Sequence, residues 1–522
     1  MLCSMLIVIG LKAQNYQFQG NITADTTWQA DTLEITGNVI IDSNVILTIV
    51  PGTFIHIKGY YSISSYGSIR AIGTETDSIT FTHLNTMHHS DTSTILGGWH
   101  GIRLLPRSTN DTSIFIYCHI SYGKSVIPGS WWSTDYPENN GGNIYCYNFG
   151  SLIIEHCFIG NGIVKHDGGG VYCKYGSYVS IKNSHISANH GFYSGGGIFV
   201  WGADSLFIEN NLVNYNISFN YLYNTAGGMG GGIWVLGYTG YSLICYNKIF
   251  NNEGVNGGVY HAYFNSNLNN NLICNNEGVG IFAGGGSQSN ATDTYTNNTI
   301  ANNNGWMPSG VTVRSNFATF TNNIIWNNLS HYPGDIQIYI KSVVNPKVTY
   351  CNVMDGYEGT GNINSIPLFA NPTLGVGLGY NALNADWTLL DDSQSINAGT
   401  PDTTGLNLPY YDIAENPRVF GNRIDMGAYE NQHVYVKIDN APISEEIKLY
   451  PNPGTNSLYI QIVPEMKGCF FDLYNGQGNI IMHYQIEDVN SVFAIENIPS
   501  GVYHYQIYNN NKVLKNSTWI KL

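Results

Sequence analysis

Acidic and basic side chains are sparse in this chain, so the few whose spacing could do chemistry are easily found. Glu253 and Glu277 occupy the same place in two copies of Asn-Asn-Glu-Gly-Val. Carboxylates one repeat apart could hold calcium or raise one another's pKa. Two turn glutamates splayed into water are the simpler account. His166-Asp167, before Gly168-Gly169-Gly170, reads as a turn more readily than as an acid/base pair, and Asp391-Asp392 falls after the last clear repeat. A polysaccharide lyase needs a Lys or Arg base beside calcium-binding carboxylates, and a polygalacturonase-like hydrolase needs paired Asp residues at the scissile bond. Neither constellation is visible, and whether the chain is an enzyme stays open. With no Cys-x-x-Cys or Cys/His pair at ligand spacing, no metal site or cofactor is expected, calcium at the glutamate pair being the one option left open.

The strongest binding feature is aromatic. Tyr145, Tyr172, Phe199, Trp234, Tyr260 and Phe282 each directly follow an aligned aliphatic residue: Ile144, Val171, Ile198, Ile233, Val259 and Ile281. Alternation along a strand puts the rings on the face opposite the aliphatics. Aliphatics inward would mean rings outward, a row one coil apart suited to stacking on the sugars of a polysaccharide, with Trp131, Trp132 and Trp201 bordering it. Aromatic stacks also stabilise parallel coils, so a packed, dry column remains the competing account. Two insertions flank the row: one between Tyr122 and Gly141 carrying Trp131-Trp132-Ser133, and one between Val213 and Ile249 carrying Tyr221-Leu222-Tyr223. Loops that project from a repeat scaffold often carry its function.

The elements that must position these residues follow from a repeat. The phrase Asn-x-Ile/Val followed three residues later by Asn recurs around Ile159, Ile186, Val213, Ile249, Ile273, Ile300, Ile325 and Val353, at spacings of 27, 27, 36, 24, 27, 25 and 28 residues. Such a period signals a solenoid. Period-two alternation around each aliphatic argues strand, and Asn-Asn-x-Gly argues turn. Stacked coils place like residues about 4.8 Å apart, so the asparagine amides are expected to bond from coil to coil in ladders. A second strand per coil opens with Gly-Gly-Ile/Val, with Val311 as its last copy. The predicted fold is all-β: a right-handed parallel β-helix followed by a small β-sandwich.

Composition agrees with an extracellular solenoid. The 522 residues include 59 Gly and 38 Tyr, only 11% are charged, and no long 3.6-period apolar segment is found. A net charge of −15 disfavours nucleic acid and anionic membranes as partners. Leu2 to Leu11 is an apolar run too short to span a bilayer and is expected to belong to a signal peptide over residues 1–14. No later segment is apolar enough for a transmembrane span, and a monomer is expected. Removing Cys3 with the signal leaves eight cysteines, read as small buried fillers rather than disulfides.

Three stretches resemble known families. Leu47-Thr48-Ile49-Val50-Pro51-Gly52-Thr53, Ile79-Thr80-Phe81-Thr82 and Gly98-Trp99-His100-Gly101-Ile102 resemble the first coils of bacterial surface right-handed β-helix proteins. The run from Pro417 to Glu430, with Arg418, Arg423, Asp425 and Gly427-Ala428-Tyr429-Glu430, is similar to the ending of surface β-helix proteins known as choice-of-anchor Q proteins. Its charged members are expected to close the last coil through hydrogen bonds. Leu449-Tyr450-Pro451-Asn452-Pro453, Phe471-Asp472-Leu473-Tyr474 and Ile498-Pro499-Ser500-Gly501-Val502-Tyr503, in their place at the terminus, resemble the type A C-terminal sorting domain of type IX secretion. That resemblance implies a partner, the type IX machinery contacting residues 447–522, and a location outside the cell or on its outer surface. The expected layout is a signal peptide (1–14), opening coils (15–110), β-helix repeats (111–364), a closing region (365–430), a linker (431–446) and the sorting domain (447–522). Right-handed β-helices host pectin and alginate lyases, polygalacturonases and adhesins alike, so fold leaves activity open. The reading is a secreted, surface-associated protein that binds a polysaccharide or surface glycan or acts as an adhesin. The alternatives are a polysaccharide lyase or glycoside hydrolase on the same scaffold and a purely structural surface protein.

Overall fold

The computed structural model describes residues 15–106, 111–126, 137–218, 228–237, 240–262, 265–284, 293–305, 308, 310–331, 336–433, 447–509 and 512–522. The expected signal peptide, most of the expected linker, both tryptophans Trp131 and Trp132, and Tyr221 to Tyr223 lie outside the described residues. Two compact units divide at His433 and Val434.

The first unit is a parallel β-solenoid in which every coil contributes one rung to each of three faces. On the first face Val39, Ile63, Ile102, Ile144, Val171, Ile198, Ile233, Val259, Ile281, Val311 and Ile338 stand in register. On the second, Phe115, Ile154, Ile181, Ile208, Ile244, Leu268, Tyr295 and Phe320 do the same. On the third, Phe81 and Ile120 precede the repeat aliphatics from Ile159 to Val353. All of these side chains point into one continuous core. Each fully buried aliphatic contributes about 1.5–3 kcal/mol relative to exposure. The first face thus runs on beyond Val311 to Ile338, and the opening block shares its register.

The asparagine ladders form as expected and are buried. Backbone N and Nδ2 of Asn211, Asn247, Asn271 and Asn298 each donate to Oδ1 of the next coil, ending on Asn323, at 2.9–3.0 Å. A second ladder runs through Asn189, Asn216, Asn252, Asn276, Asn303 and Asn328 at 2.8–3.1 Å. Before each ladder residue the chain turns a corner through a positive φ, at Asn210, Tyr246, Asn270, Asn297 and Asn322 in one column and Ala188, Tyr215, Asn251, Asn275, Asn302 and Asn327 in the other. Asparagine tolerates that conformation better than most side chains. The doublet Asn-Asn therefore encodes a corner followed by a rung. Cysteine replaces asparagine in places: Cys118 N donates to Cys157 Sγ at 3.3 Å, and Asn323 N to Cys351 Sγ at 3.3 Å. All eight described cysteines are free and buried.

Residues 365–430 do not sit as a plug on the last coil. They run back along the third face, because the corner asparagines there point outward and offer amides to a passing backbone. Asn251 Nδ2 donates to Tyr380 O at 3.0 Å while its Oδ1 accepts from Ala382 N at 3.0 Å. Asn275 donates to Gly375 O, Asn302 to Thr373 Oγ1 and Asn297 to Asp425 O. Trp387, Ile413, Ala428 and Tyr429 of this segment cover Phe250, Leu272, Cys274 and Ala301 of the coils.

The second unit pairs a three-stranded antiparallel sheet (Lys448–Tyr450, Ser457–Gln461, Asn490–Ala494) with a four-stranded one (Cys469–Tyr474, Ile480–Ile486, Gly501–Asn509, Lys512–Lys521). Leu458, Ile460, Phe471, Leu473, Ile507 and Trp519 form its core. The Tyr-Pro-Asn-Pro opening is fastened to the last strand: Asn452 Nδ2 donates to Thr518 O and its Oδ1 accepts from Ile520 N, both at 2.9 Å, while Trp519 Nε1 donates to Pro451 O at 2.8 Å.

Candidate functional site

The six rings lie on the outer side of the first face and stack in near-parallel planes. Successive centroids from Tyr145 through Tyr172, Phe199, Trp234 and Tyr260 to Phe282 are 5.1, 4.7, 4.3, 5.4 and 4.8 Å apart, at interplanar angles of 10° or less. The Arg103 guanidinium lies 5.4 Å from the Tyr145 centroid and that of Arg314 5.6 Å from Phe282, so cations cap both ends.

Strand alternation gave the correct side, but the expectation of an open platform is corrected. Tyr145, Tyr172 and Phe199 are each 2% exposed or less. Part of the cover is glycine backbone. Gly141, Gly168, Gly195 and Gly230 have φ of 62–70°, and a Cβ on any of them would come within 2.6–2.7 Å of the Cβ of Tyr145, Tyr172, Phe199 or Trp234. Only a glycine lets the chain turn this tightly over the rings. Burial also pushes the Tyr145 hydroxyl well above its usual pKa.

The aromatic surface opens two residues further along the strands, where Tyr147, Lys174 and Trp201 share a register position. Tyr175, next to Lys174 and at φ 58°, is 43% exposed. Its ring lies 5.9 Å from Tyr147 and 6.3 Å from Trp201, both half-buried, and Trp201 in turn lies 6.3 Å from Trp234. Lys174 Nζ sits 4.3 Å from the Trp201 centroid and 5.1 Å from that of Tyr175, which fixes both rings. Of the seven expected site residues that are described, Trp201 alone combines membership of this open rim with contact to the column.

Glu253 and Glu277 do align in adjacent coils, bridged in parallel. Neither is splayed into water: both are half-buried, and burial raises both carboxyls above their usual pKa, the charge of Glu277 adding to the rise at Glu253 and His331 partly offsetting it at Glu277. Glu277 Oε1 lies 3.3 Å from His331 Nε2, and Asn304 Nδ2 donates to Glu277 Oε2 at 3.4 Å. Among the described residues, no three His, Cys, Asp or Glu side chains converge on a point that would hold a metal ion.

Sequence reasoning missed a polar cluster inside the solenoid. His261 follows Cys146, Cys173, Val200 and Val235 in an inward column, and Ser242, Ser266 and Asp293 interrupt another. Ser266 Oγ lies 2.8 Å from His261 Nε2 and 3.1 Å from Ser242 Oγ. Burial pushes the Asp293 carboxyl up to about 7 and His261 down to about 3. The signal was present as a histidine and an aspartate at aliphatic positions. The cluster is enclosed, so it acts on the core and not on an outside ligand.

The charged residues of the 417–430 run are structural. Arg418 pairs with Glu430, whose Oε1 and Oε2 accept from Phe420 N and Asp425 N at 3.0 Å. Asp425 accepts from Asn397 N at 2.6 Å and Asn431 N at 2.7 Å. Arg418 and Asp425 hold the returning segment beside Asn270 and Asn297, before the end where they were expected, whereas the Arg423 guanidinium lies 5.1 Å from the ring of Tyr350 in the last coil.

Residues 93–295 match the family described as the right-handed beta helix region, and residues 448–521 match the secretion system C-terminal sorting domain. Among solved structures the chain is similar to the crystal structure of pectate lyase Pel9A, at 15% identity and a TM-score of 0.31 over 73% of this chain and 88% of that one. It is similar also to that of the periplasmic alginate epimerase AlgG, at 12% identity and a TM-score of 0.23 over 63% of this chain and 69% of that one. No curated protein matches. Among the described residues no helix is long and apolar enough to cross a membrane.

Proposed function

We propose that this right-handed β-helix protein, which its sorting domain directs through type IX secretion to the cell surface or extracellular space, binds a glycan without cleaving it. The observation that carries the reading is the open aromatic rim of Tyr147, Tyr175 and Trp201 at the edge of a ring column that is buried except at the half-buried Tyr260. Sugar C–H faces stack on exposed rings, and rings held in place beforehand lose little entropy on binding. Lys174 and the column supply that rigidity. Trp131 and Trp132 are proposed to border the same surface on sequence grounds alone.

The test is retention of the purified protein on immobilised plant, algal and host polysaccharides, with and without calcium, followed alongside unsaturated products and new reducing ends. Retention without products, lost in Tyr175→Ala and Trp201→Ala, is the expected result. Retention indifferent to both substitutions refutes the rim. Product formation moves the reading to an enzyme and directs attention to Glu253, Glu277 and His331.

A further inference from the structure

The returning segment carries an open cleft of its own. Phe369–Asn371 and Asp386–Leu389 pair antiparallel, and residues 372–385 between them loop around a cleft of about 330 Å³. That volume lies within the range that holds small ligands, about 300–1,000 Å³. Asn371, Thr373, Leu374, Tyr380, Asn381 and Asn384 line it, and among the described residues no charged side chain does.

The loop is held from beneath by the corner asparagines of the third face. Asn302 Nδ2 donates to Thr373 Oγ1 at 2.9 Å, Asn275 Nδ2 to Gly375 O at 3.0 Å and Asn251 Nδ2 to Tyr380 O at 3.0 Å. The Tyr380 ring is seated on backbone, since a Cβ at Gly375 would come within 2.3 Å of a ring carbon. The residue is nevertheless 45% exposed, and Leu374 at the edge of the cleft is 98% exposed. Asn381 Oδ1 accepts from Leu383 N at 2.9 Å, which leaves its Nδ2 to donate elsewhere. Asn371 and Asn384 are exposed, and their side-chain amides bond to no described residue.

We propose that this cleft binds one neutral pyranose unit of a glycan, at a second site apart from the rim. It rests on the reading of the protein as a glycan binder for the class of ligand, and on separate residues for everything else. A pyranose has an apolar C–H face and a fringe of hydroxyls, each both donor and acceptor. Tyr380 and Leu374 offer the apolar contact. A primary amide carries a donor and an acceptor side by side, so three of them around one ring suit hydroxyls better than any single charge would. Nothing in the lining neutralises a carboxylate or sulfate, and the net charge of −15 opposes anionic glycans, so the cleft selects an uncharged sugar. Because the corner asparagines fix the loop beforehand, little order is lost on binding.

The test uses the full-length Trp201→Ala protein, in which the rim is disabled. The probes are methyl glucoside, methyl galactoside and methyl mannoside, with methyl glucuronide as the charged control, each titrated and followed by saturation-transfer NMR. Saturable transfer to at least one neutral glycoside is expected, with affinity weakened about tenfold by adding Tyr380→Ala and about threefold by adding Asn384→Ala. Both positions are exposed, and far-UV circular dichroism of each variant checks that the fold is kept. Absence of transfer to every neutral glycoside overturns the proposal. So does transfer indifferent to both substitutions, or glucuronide binding as tight as that of the neutral sugars. The rim is judged separately: glycoside binding at the cleft, with polysaccharide retention unchanged by Trp201→Ala, upholds the cleft and refutes the rim.

Discussion

Arg418 Nη2 and Glu430 Oε2 are 2.9 Å apart, with side chains 1% and 0% exposed, in the segment that lies along the outer wall of the solenoid. An ion pair so far from water is costly to break from one side, because the remaining charge has no partner.

Glu430→Gln is therefore expected to destabilise the first unit by about 3–5 kcal/mol. Glu430 also receives two backbone N–H groups, so the loss should release the returning segment locally. Urea unfolding gives the magnitude, and limited proteolysis, expected to cut within residues 365–430 first, gives the place. The double variant Arg418→Met with Glu430→Leu should recover part of the loss, since neither charge is then stranded.

Asn271→Ala removes the acceptor of Asn247 N and Nδ2 and the donor to Asn298 Oδ1. Each buried polar group left unpaired costs about 1–3 kcal/mol, so a loss of about 3 kcal/mol in chemical denaturation is expected. Asn210→Ala, at an exposed corner, strands no buried group but puts alanine at a φ of 53°, so a smaller loss of about 1 kcal/mol is expected.

Asp293 gives the core a pH dependence of fixed sign. Its folded pKa, raised to about 7 by burial, lies above the ordinary value of 3.8, so the folded state holds a proton that the unfolded chain releases. The groups acting on it are Ser315 and the Ser266 backbone, whose hydrogen bonds partly offset the rise, and the Tyr295 hydroxyl, itself held protonated by burial. Stability should fall as pH rises from about 4 to about 7, by on the order of a few kcal/mol from this group. Asp293→Asn should flatten that part of the Tm against pH curve.

Column and rim should separate in a single pair of variants. Phe199→Ala opens a cavity among buried rings and is expected to cost about 3–5 kcal/mol. Tyr175→Ala should leave Tm nearly unchanged and remove polysaccharide retention.

The backbone architecture was legible because repeats print themselves in sequence. Ile186, Val213 and Ile249 mark the rungs and Asn216 and Asn252 mark the ladder, since stacking requires like residues at like places. The ring column was legible to the extent of its face and spacing. Its burial was not, because the cover over Tyr172 comes from the turn at Gly168 and not from alternation along a strand. The course of residues 365–430 was hidden for a related reason. The segment has no repeat of its own, and it is guided by Asn251, Asn275 and Asn297, which in sequence read only as turn formers. Asp293 and His261 were visible as letters, but their meaning depends on which column they enter.

The asparagine ladders have a direction, every ladder Oδ1 accepting from the coil before it while Nδ2 also donates back to a carbonyl of the preceding coil, and each has an appointed stop. Gln337 Oε1 accepts from Asn328 N and Nδ2, and Gln337 Nε2 donates to Asn328 O. Asn362 Oδ1 accepts from Cys351 N, and its Nδ2 donates to the carbonyls of Val348 and Tyr357. A stack of identical rungs is a template on which another molecule could add its own first coil, as fibrils grow. Gln337 and Asn362 turn the last acceptors back on the chain that made them, so the end of each ladder is closed by a side chain of the protein's own and not by a further coil.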